Sequence, residues 1–143
     1  MTPADLAALH GRCFTVPRPW SAEEIAALLD TPGSFLLTRP HAFLIGRVIA
    51  DEAELLTLAT DPATRRQGFA SALCRNFTQQ AADRGAATGF LEVAADNTAA
   101  LALYQGLGWQ AAGRRKSYYA PGVDGVVMRL NLAEMRADPQ DLG

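Results

Sequence analysis

The segment Asp61-Pro62-Ala63-Thr64-Arg65-Arg66-Gln67-Gly68-Phe69-Ala70 lies between an apolar, strand-like run and a long helical pattern. A strand that turns over a glycine into a helix leaves several backbone N–H groups unpaired and aimed at one point, with the helix dipole behind them. Such a turn binds anions, and Arg65 or Arg66 adds positive charge at its rim. Gly68 carries no Cβ, so a phosphate can approach the backbone, and Ala70 is small enough to keep the turn tight. The segment lacks the Gly-Lys-Ser/Thr ending of a Walker A loop and the three-glycine spacing of a dinucleotide fingerprint. Standing alone, an Arg-Arg-Gln-Gly run would be a solvated basic turn. The residues that follow give it a second meaning.

Glu92 sits between Leu91 and Val93, in a run that reads as a central, largely buried strand. An isolated carboxylate there is desolvated, which moves it toward the range of a general base. A strand-end ion pair or a cap on a neighbouring turn suits the position as well. Tyr104 lies seven residues beyond Asn97 with Leu101 between them, so the three share one helix face. A tyrosine there packs in the core with its hydroxyl at the edge, or offers a proton to a leaving group. Asn97 suits a helix N-cap, a position that can also face a ligand at the open helix end. An anion-binding turn, a carboxylate on the next strand and a tyrosine on the next helix together suit acyl transfer from a phosphorylated carrier to an amine. That chemistry needs no metal and no covalent nucleophile.

The elements that must hold these residues follow from the apolar periodicity. Pro3 to Phe14 reads as a helix, Val16 to Trp20 as an extended connection, and Ser21 as the cap of a second helix ended by Thr31-Pro32-Gly33. Three strands follow, at Ser34–Thr38, Ala42–Ala50 and Glu54–Thr60, spaced for antiparallel hairpins. Phe69, Leu73, Phe77 and Ala81 mark a third helix stopped at Gly85. Gly89–Val93 is a strand, Asp96-Asn97-Thr98 opens a fourth helix, and Gly106-Leu107-Gly108 ends it. Two last strands, Trp109–Lys116 and Asp124–Leu132, are joined by a Tyr-Tyr-Ala-Pro-Gly loop. The order ααβββαβαββ predicts an α+β fold, a single mixed and mostly antiparallel sheet flanked by helices, over residues 1–135 with a frayed polar tail at 136–143.

With 143 residues, 49% of them hydrophobic, the chain suffices for one domain with a real core. A net charge of −2 gives no electrostatic case for nucleic acid or an anionic membrane as partner. No apolar run is long enough to span a bilayer and no secretion pattern opens the chain, so a cytoplasmic protein is expected. Cys13 and Cys74 fall in helical patterns and are expected to be core thiols rather than nucleophiles or metal ligands.

The ordered set of motifs resembles the GNAT acetyltransferases, and within them the RimI-type ribosomal-protein-alanine N-acetyltransferases. Residues 53–132 carry the resemblance. Glu54–Pro62 resembles the strand that pairs with a pantetheine arm, and Arg65-Arg66-Gln67-Gly68-Phe69-Ala70 the pyrophosphate loop. Leu91-Glu92-Val93, Asn97, Ala102-Leu103-Tyr104, Leu107-Gly108-Trp109 and Arg114-Arg115-Lys116-Ser117-Tyr118-Tyr119 follow at the family's spacing. The resemblance implies acetyl-CoA as cofactor, bonded by the main chain of Leu58, Ala59 and Thr60, by Arg65, Arg66, Gln67, Gly68, Phe69, Ala70 and Ser71, and by Asn97 and Tyr104. It implies Glu92 as general base and Tyr104 as general acid. Trp20, Tyr118 and Tyr119 would line the acceptor groove, and the strands bearing Thr60 and Glu92 would splay to admit the acetyl group. The implied acceptor is a protein N-terminal α-amine, the alanine of a small-subunit ribosomal protein, and the implied assembly a monomer or weak dimer. A GNAT enzyme of a small-molecule amine, or a non-catalytic acetyl-CoA-binding module, would share the cofactor residues. The chain departs from the family in two respects: Pro3 already opens a helix where members begin with a strand, and the connection Val16-Pro17-Arg18-Pro19, in the region that shapes the acceptor site, is heavy in proline.

Overall fold

The structure is a computed structural model that describes residues 1–13, 20–65 and 67–133. Arg66, the connection at 14–19 and the tail at 136–143 lie outside the described residues. Helix α1 (Pro3–Cys13) opens the described chain, with no strand before it among the described residues, and α2 (Ala22–Leu29) follows. Ser21 caps α2 in a reciprocal capping box: its hydroxyl accepts from the Glu24 N–H at 3.1 Å, and the Glu24 carboxylate accepts from the Ser21 N–H at 3.1 Å. Such a cap stabilises an eight-residue helix by about 1 kcal/mol.

Strands β1 (Ser34–Arg39), β2 (Ala42–Ile49) and β3 (Glu52–Thr60) form the expected antiparallel meander. A 3-10 turn (Pro62–Thr64) leads through the Arg-Gln-Gly loop to α3 (Phe69–Asp83), which crosses over to β4 (Thr88–Ala94). Helix α4 (Thr98–Gly106) then returns the chain to the hairpin β5 (Gln110–Ala120) and β6 (Val123–Asn131). The six strands lie in the order β1-β2-β3-β4-β6-β5. Only β3 and β4 run parallel, which requires a crossover such as α3. The predicted α+β fold and element order are both present.

The final hairpin corrects one expectation. Tyr118 and Tyr119 are not in a loop but in β5, because Pro121-Gly122, with Gly122 at φ 79°, makes the turn by itself. The register slips between Arg115 and Ala120, where Ser117 takes φ 52°. That irregularity turns the two tyrosines relative to the rest of the strand.

Two hydrophobic clusters cover opposite faces of the sheet. The larger packs Leu73, Cys74 and Phe77 of α3 and Tyr104 of α4 against Phe35, Leu44, Leu55, Leu91, Val93 and Met128. The smaller packs Leu6, Leu9 and Ile25 of α1 and α2 against Phe43, Ile45 and Ala59. Cys74 belongs to the core as expected, whereas Cys13 is only half-buried at the margin of the smaller cluster.

The β2–β3 register carries a bulge. Ile45 pairs with Thr57 and Gly46 with Leu55, so Leu56 is an extra residue on β3. A bulge bends its strand and increases local twist. The parallel pairing of β3 with β4 stops at the same level, its last pair being Leu55 with Leu91. Beyond that point residues 56–60 and 92–94 are not paired to one another, and the sheet opens.

Gly46, beside the bulge, leaves the space that Phe35 and Phe77 occupy. A Cβ there would lie 2.6 Å from Phe35 Cζ and 2.9 Å from Phe77 Cε2. Overpacking of this kind costs about 1–3 kcal/mol, so Gly46→Val should lower the urea midpoint without changing the m-value. An unchanged midpoint would show that the two rings yield freely.

Candidate active site

The opening between β3 and β4 is one end of a continuous cleft of about 1670 Å³. The alternation of the β2–β3 ladder decides which main-chain groups face it. Asp61 N–H donates to His41 C=O at 2.8 Å, so that pair is hydrogen-bonded, as are Phe43–Ala59 and Ile45–Thr57 by parity. Leu58 and Thr60 occupy the alternate positions, and their N–H and C=O groups point away from β2 into the opening. Consistent with this, Thr60 C=O accepts the Cys13 thiol at 3.2 Å. Ala59 is different: its main chain is turned to Phe43 and its side chain is buried in the smaller cluster.

The cleft continues to the start of α3. Gly68 takes φ 81°, a left-handed conformation that favours glycine, and no side chain caps the helix. The first helical bond runs from Ala72 N–H to Gly68 C=O. The N–H groups of Phe69, Ala70 and Ser71 therefore have no partner within the helix, and all three residues line the cleft with Arg65 and Gly68. Fifteen aligned residues stand behind them. Bare N–H groups at a helix start suit an anion such as a pyrophosphate, through backbone donors rather than through a lysine. Gln67 does not line the cleft. The loop is held from below by Asp61, whose carboxylate accepts from Ala63 N–H at 3.0 Å and pairs with Arg12 of α1 at 3.0 Å. The Ala63 N–H and Arg12 hold that carboxyl below its ordinary range.

Glu92 enters the opening on the face of α1 and α2, since Leu91 and Val93 on either side belong to the other face. It is not the isolated carboxylate that its sequence neighbours suggested. Oε1 lies 3.1 Å from Arg115 Nε, and the Arg115 guanidinium stands 4.9 Å from the centre of the Tyr118 ring. Oε2 is buried and has no hydrogen-bond partner among the described residues. Arg115 and Glu92 meet across Gly125 of β6, which pairs with Arg115. A Cβ at Gly125 would stand 3.0 Å from Oε2 and 3.2 Å from Tyr118 Cδ2.

Tyr104 reaches the cleft from the opposite face, on α4, almost fully buried and edge-on to Trp109 at 6.2 Å. Burial, with smaller contributions from Cys74 and Tyr119, drives its phenol far above its ordinary range, so it stays protonated. Tyr119 is pushed up to about 12, first by burial and then by the charge of Glu92. Asn97 caps α4 by accepting from Ala100 N–H at 3.1 Å, and its residue also lines the cleft. Trp20, Tyr118 and Tyr119 line it too, with the two tyrosine rings edge to face at 5.2 Å.

The structure also brings in residues to which the motifs assigned no role. Arg115 was visible only as part of a basic run, and its partner depends on the register of a three-strand segment. His10 and Thr57 line the cleft beside Trp20, and their only signal was a histidine in an otherwise apolar helical pattern.

A sheet that parts at its parallel pair, with an uncapped helix start, a carboxylate and a buried phenol lining the same cleft, suits an N-acetyltransferase. The family model for the Acetyltransferase (GNAT) family matches residues 4–109, and the chain belongs to that family. Among its relatives, the ribosomal protein bS18-alanine N-acetyltransferase of Escherichia coli is 41% identical over 123 residues, covering 80% of this chain and 82% of that protein. The N-alpha-acetyltransferase RimI of Mycobacterium tuberculosis is 33% identical over 133 residues, covering 86% and 82%. The crystal structure of the ribosomal-protein-S18-alanine N-acetyltransferase from Escherichia coli superposes with a TM-score of 0.82 at 33% identity, over 92% of this chain and 88% of that one. The RimI-type resemblance carried by the motifs is thus borne out. No helix among the described residues is long and apolar enough to cross a membrane.

His10 supplies a prediction from this geometry. Its ring is buried against Trp20 and Phe43, and desolvation, partly opposed by Glu24, lowers it to about 4. Unfolded, the same group titrates near about 6.5. Between those values the unfolded chain binds a proton that the folded chain refuses, so stability falls as pH drops through this window and this loss is complete below it. Urea midpoints measured from pH 7 to pH 4 should decline less steeply for His10→Asn than for the parent. Parallel curves would contradict the assignment.

Proposed function

We propose that the chain transfers the acetyl group of acetyl-CoA to a protein N-terminal α-amine, that of an alanine beginning a small-subunit ribosomal protein, in the cytoplasm. The observation that carries this reading is the junction of three features in one cleft: the main-chain groups of Leu58 and the N–H of Thr60 turned away from β2, the uncapped start of α3, and Glu92 with a buried oxygen that has no partner among the described residues. The named activity of the relatives supports the acceptor. The cleft volume supports it as well, since about 1670 Å³ exceeds the roughly 300–1,000 Å³ of ordinary small-molecule sites and leaves room for a carrier and a peptide end.

When bound, acetyl-CoA supplies the acyl group as a thioester. The N–H groups of Phe69, Ala70 and Ser71, with Arg65 at the rim, would hold its pyrophosphate, and Arg66, next in sequence, would add charge. Leu58 and Thr60 would bond its pantetheine amides, and Asn97 would face it from the start of α4. Glu92 would take a proton from the acceptor ammonium, directly or through one water, freeing the lone pair that forms the new C–N bond. As the C–S bond breaks, Tyr104 would give its proton to the departing sulfur. A phenol kept neutral by burial suits that donor role. Trp20, Tyr118 and Tyr119 would hold the peptide end. A carboxylate on one face of the sheet and a phenol on the other would thus approach the reacting atoms from opposite sides.

Two measurements test this. Incubated with acetyl-CoA, peptides and free amines, the protein should acetylate the α-amine of alanine-starting peptides, read by mass. Transfer to free amines alone would move the acceptor to a small molecule, and cofactor binding with no turnover would leave a binding module. Glu92→Gln should lower kcat by about 10²–10⁴-fold while the dissociation constant for CoA stays within about twofold. Full activity in that variant would remove Glu92 from the base role.

A further inference from the structure

His10 takes no part in the chemistry above, yet its side chain is buried beside the cleft, 1% exposed. Its two ring nitrogens are both engaged, and their partners fix the tautomer. Trp20 N–H donates to Nδ1 at 3.2 Å, so Nδ1 carries no proton. Nε2 therefore carries it and donates to Thr57 Oγ1 at 3.0 Å. The imidazole also stacks on the Trp20 indole, with ring centres 5.0 Å apart and planes 16° from parallel.

We propose that His10 is a positioning residue for the acceptor, clamping Trp20 to β3 and so fixing the wall of the cleft opposite Glu92. The location of the clamp supports this. Thr57 directly follows Leu56, the bulge residue at which β3 leaves β4, so the clamp is anchored where the cleft opens. Trp20 immediately precedes Ser21, the cap of α2, so the clamp also joins a rigid helix to that point. Thr57 and Glu92 lie on the same face of the sheet, which places the clamp on the acceptor side rather than beside the start of α3. Among the described residues, Phe43 from β2, Thr57 from β3 and Trp20 before α2 face the imidazole, and Glu24 of α2 is a charge that acts on it. The clamp works only with neutral histidine, because a proton on Nδ1 would point at the Trp20 N–H.

The inference rests on the acceptor reading above, in that Trp20 must touch the acceptor. Its test is steady-state kinetics with an alanine-starting peptide and acetyl-CoA for His10→Ala, His10→Asn and His10→Gln. Losing the clamp should raise the peptide KM about tenfold in His10→Ala, with kcat and the acetyl-CoA KM each within about twofold. His10→Asn should restore the peptide KM to within about threefold of the parent, because its Oδ1 sits near the place of Nδ1 and accepts from Trp20 N–H. His10→Gln should not, because it reaches only toward Thr57. Equal peptide KM values throughout, rescue by Gln but not Asn, or a rise confined to the acetyl-CoA KM would each overturn the proposal. If the parent acetylates no peptide, the acceptor reading fails, and the clamp is then read from tryptophan emission during acid titration. A break near pH 4 in the parent that is missing in His10→Asn supports the clamp, and its presence in both contradicts it.

Discussion

Everything at this site depends on β3 leaving β4. Within a closed sheet, the N–H and C=O groups of Leu58 and Thr60 would be spent on a neighbouring strand. One extra residue, Leu56, bends β3 at the level where its pairing with β4 ends. Main-chain groups left open in a partly apolar cleft lose about 1–3 kcal/mol each when they are desolvated without a partner. A ligand that offers amide groups at the right spacing recovers that loss. The same reasoning explains why the cleft lies past the carboxyl ends of two parallel strands, where the loop into α3 and the turn into α4 both begin. Each following helix starts beside the opening, one with bare N–H groups and one capped by Asn97.

The division of the core follows from the same opening. Helices α3 and α4 cover one face and α1 and α2 the other, but the second pair is seated on β2 and β3. The part of that face formed by β4, β6 and β5 carries charged and aromatic groups instead: Glu92, Arg115 and Tyr118. A wall made of an ion pair and an aromatic ring therefore lines the cleft together with His10, Trp20 and Thr57. Tyr104 comes through from the other face, and its burial keeps the proton it would donate. Arg115 occupies one oxygen of Glu92 and leaves the other without a partner. Exposed ion pairs contribute little stability, about 0–1 kcal/mol, so the importance of this one lies in how it orients the carboxylate.

The fold was largely legible because its signals are local. The capping residue Ser21, the four-residue recurrence from Phe69 to Ala81, and the Asn97 cap each depend on neighbours within a turn or two. The glycine turn into an uncapped α3 was legible for the same reason, since Gly68 and the start of α3 are contiguous. What the sequence concealed depends on long-range register. The partner of Glu92 lies two strands away and comes into reach only because Gly125 between them has no side chain. The tyrosines resembled a loop because Pro121-Gly122 follows closely, and only the register slip near Ser117 shows that the strand continues past them. His10 resembled one more position in an amphipathic helix, and its contact with Thr57 emerges only once α1 is laid across β3.

CoA binding at the opened edge of β3 and the bare start of α3 can be read by hydrogen exchange with and without CoA, resolved to single amides. CoA should slow exchange at Leu58 and Thr60 together with Phe69, Ala70 and Ser71, while Ala59, paired with Phe43, changes little. If those amides exchange at the same rate with CoA bound, or protection falls only on β1, β2 and α2, the cleft is not the cofactor site.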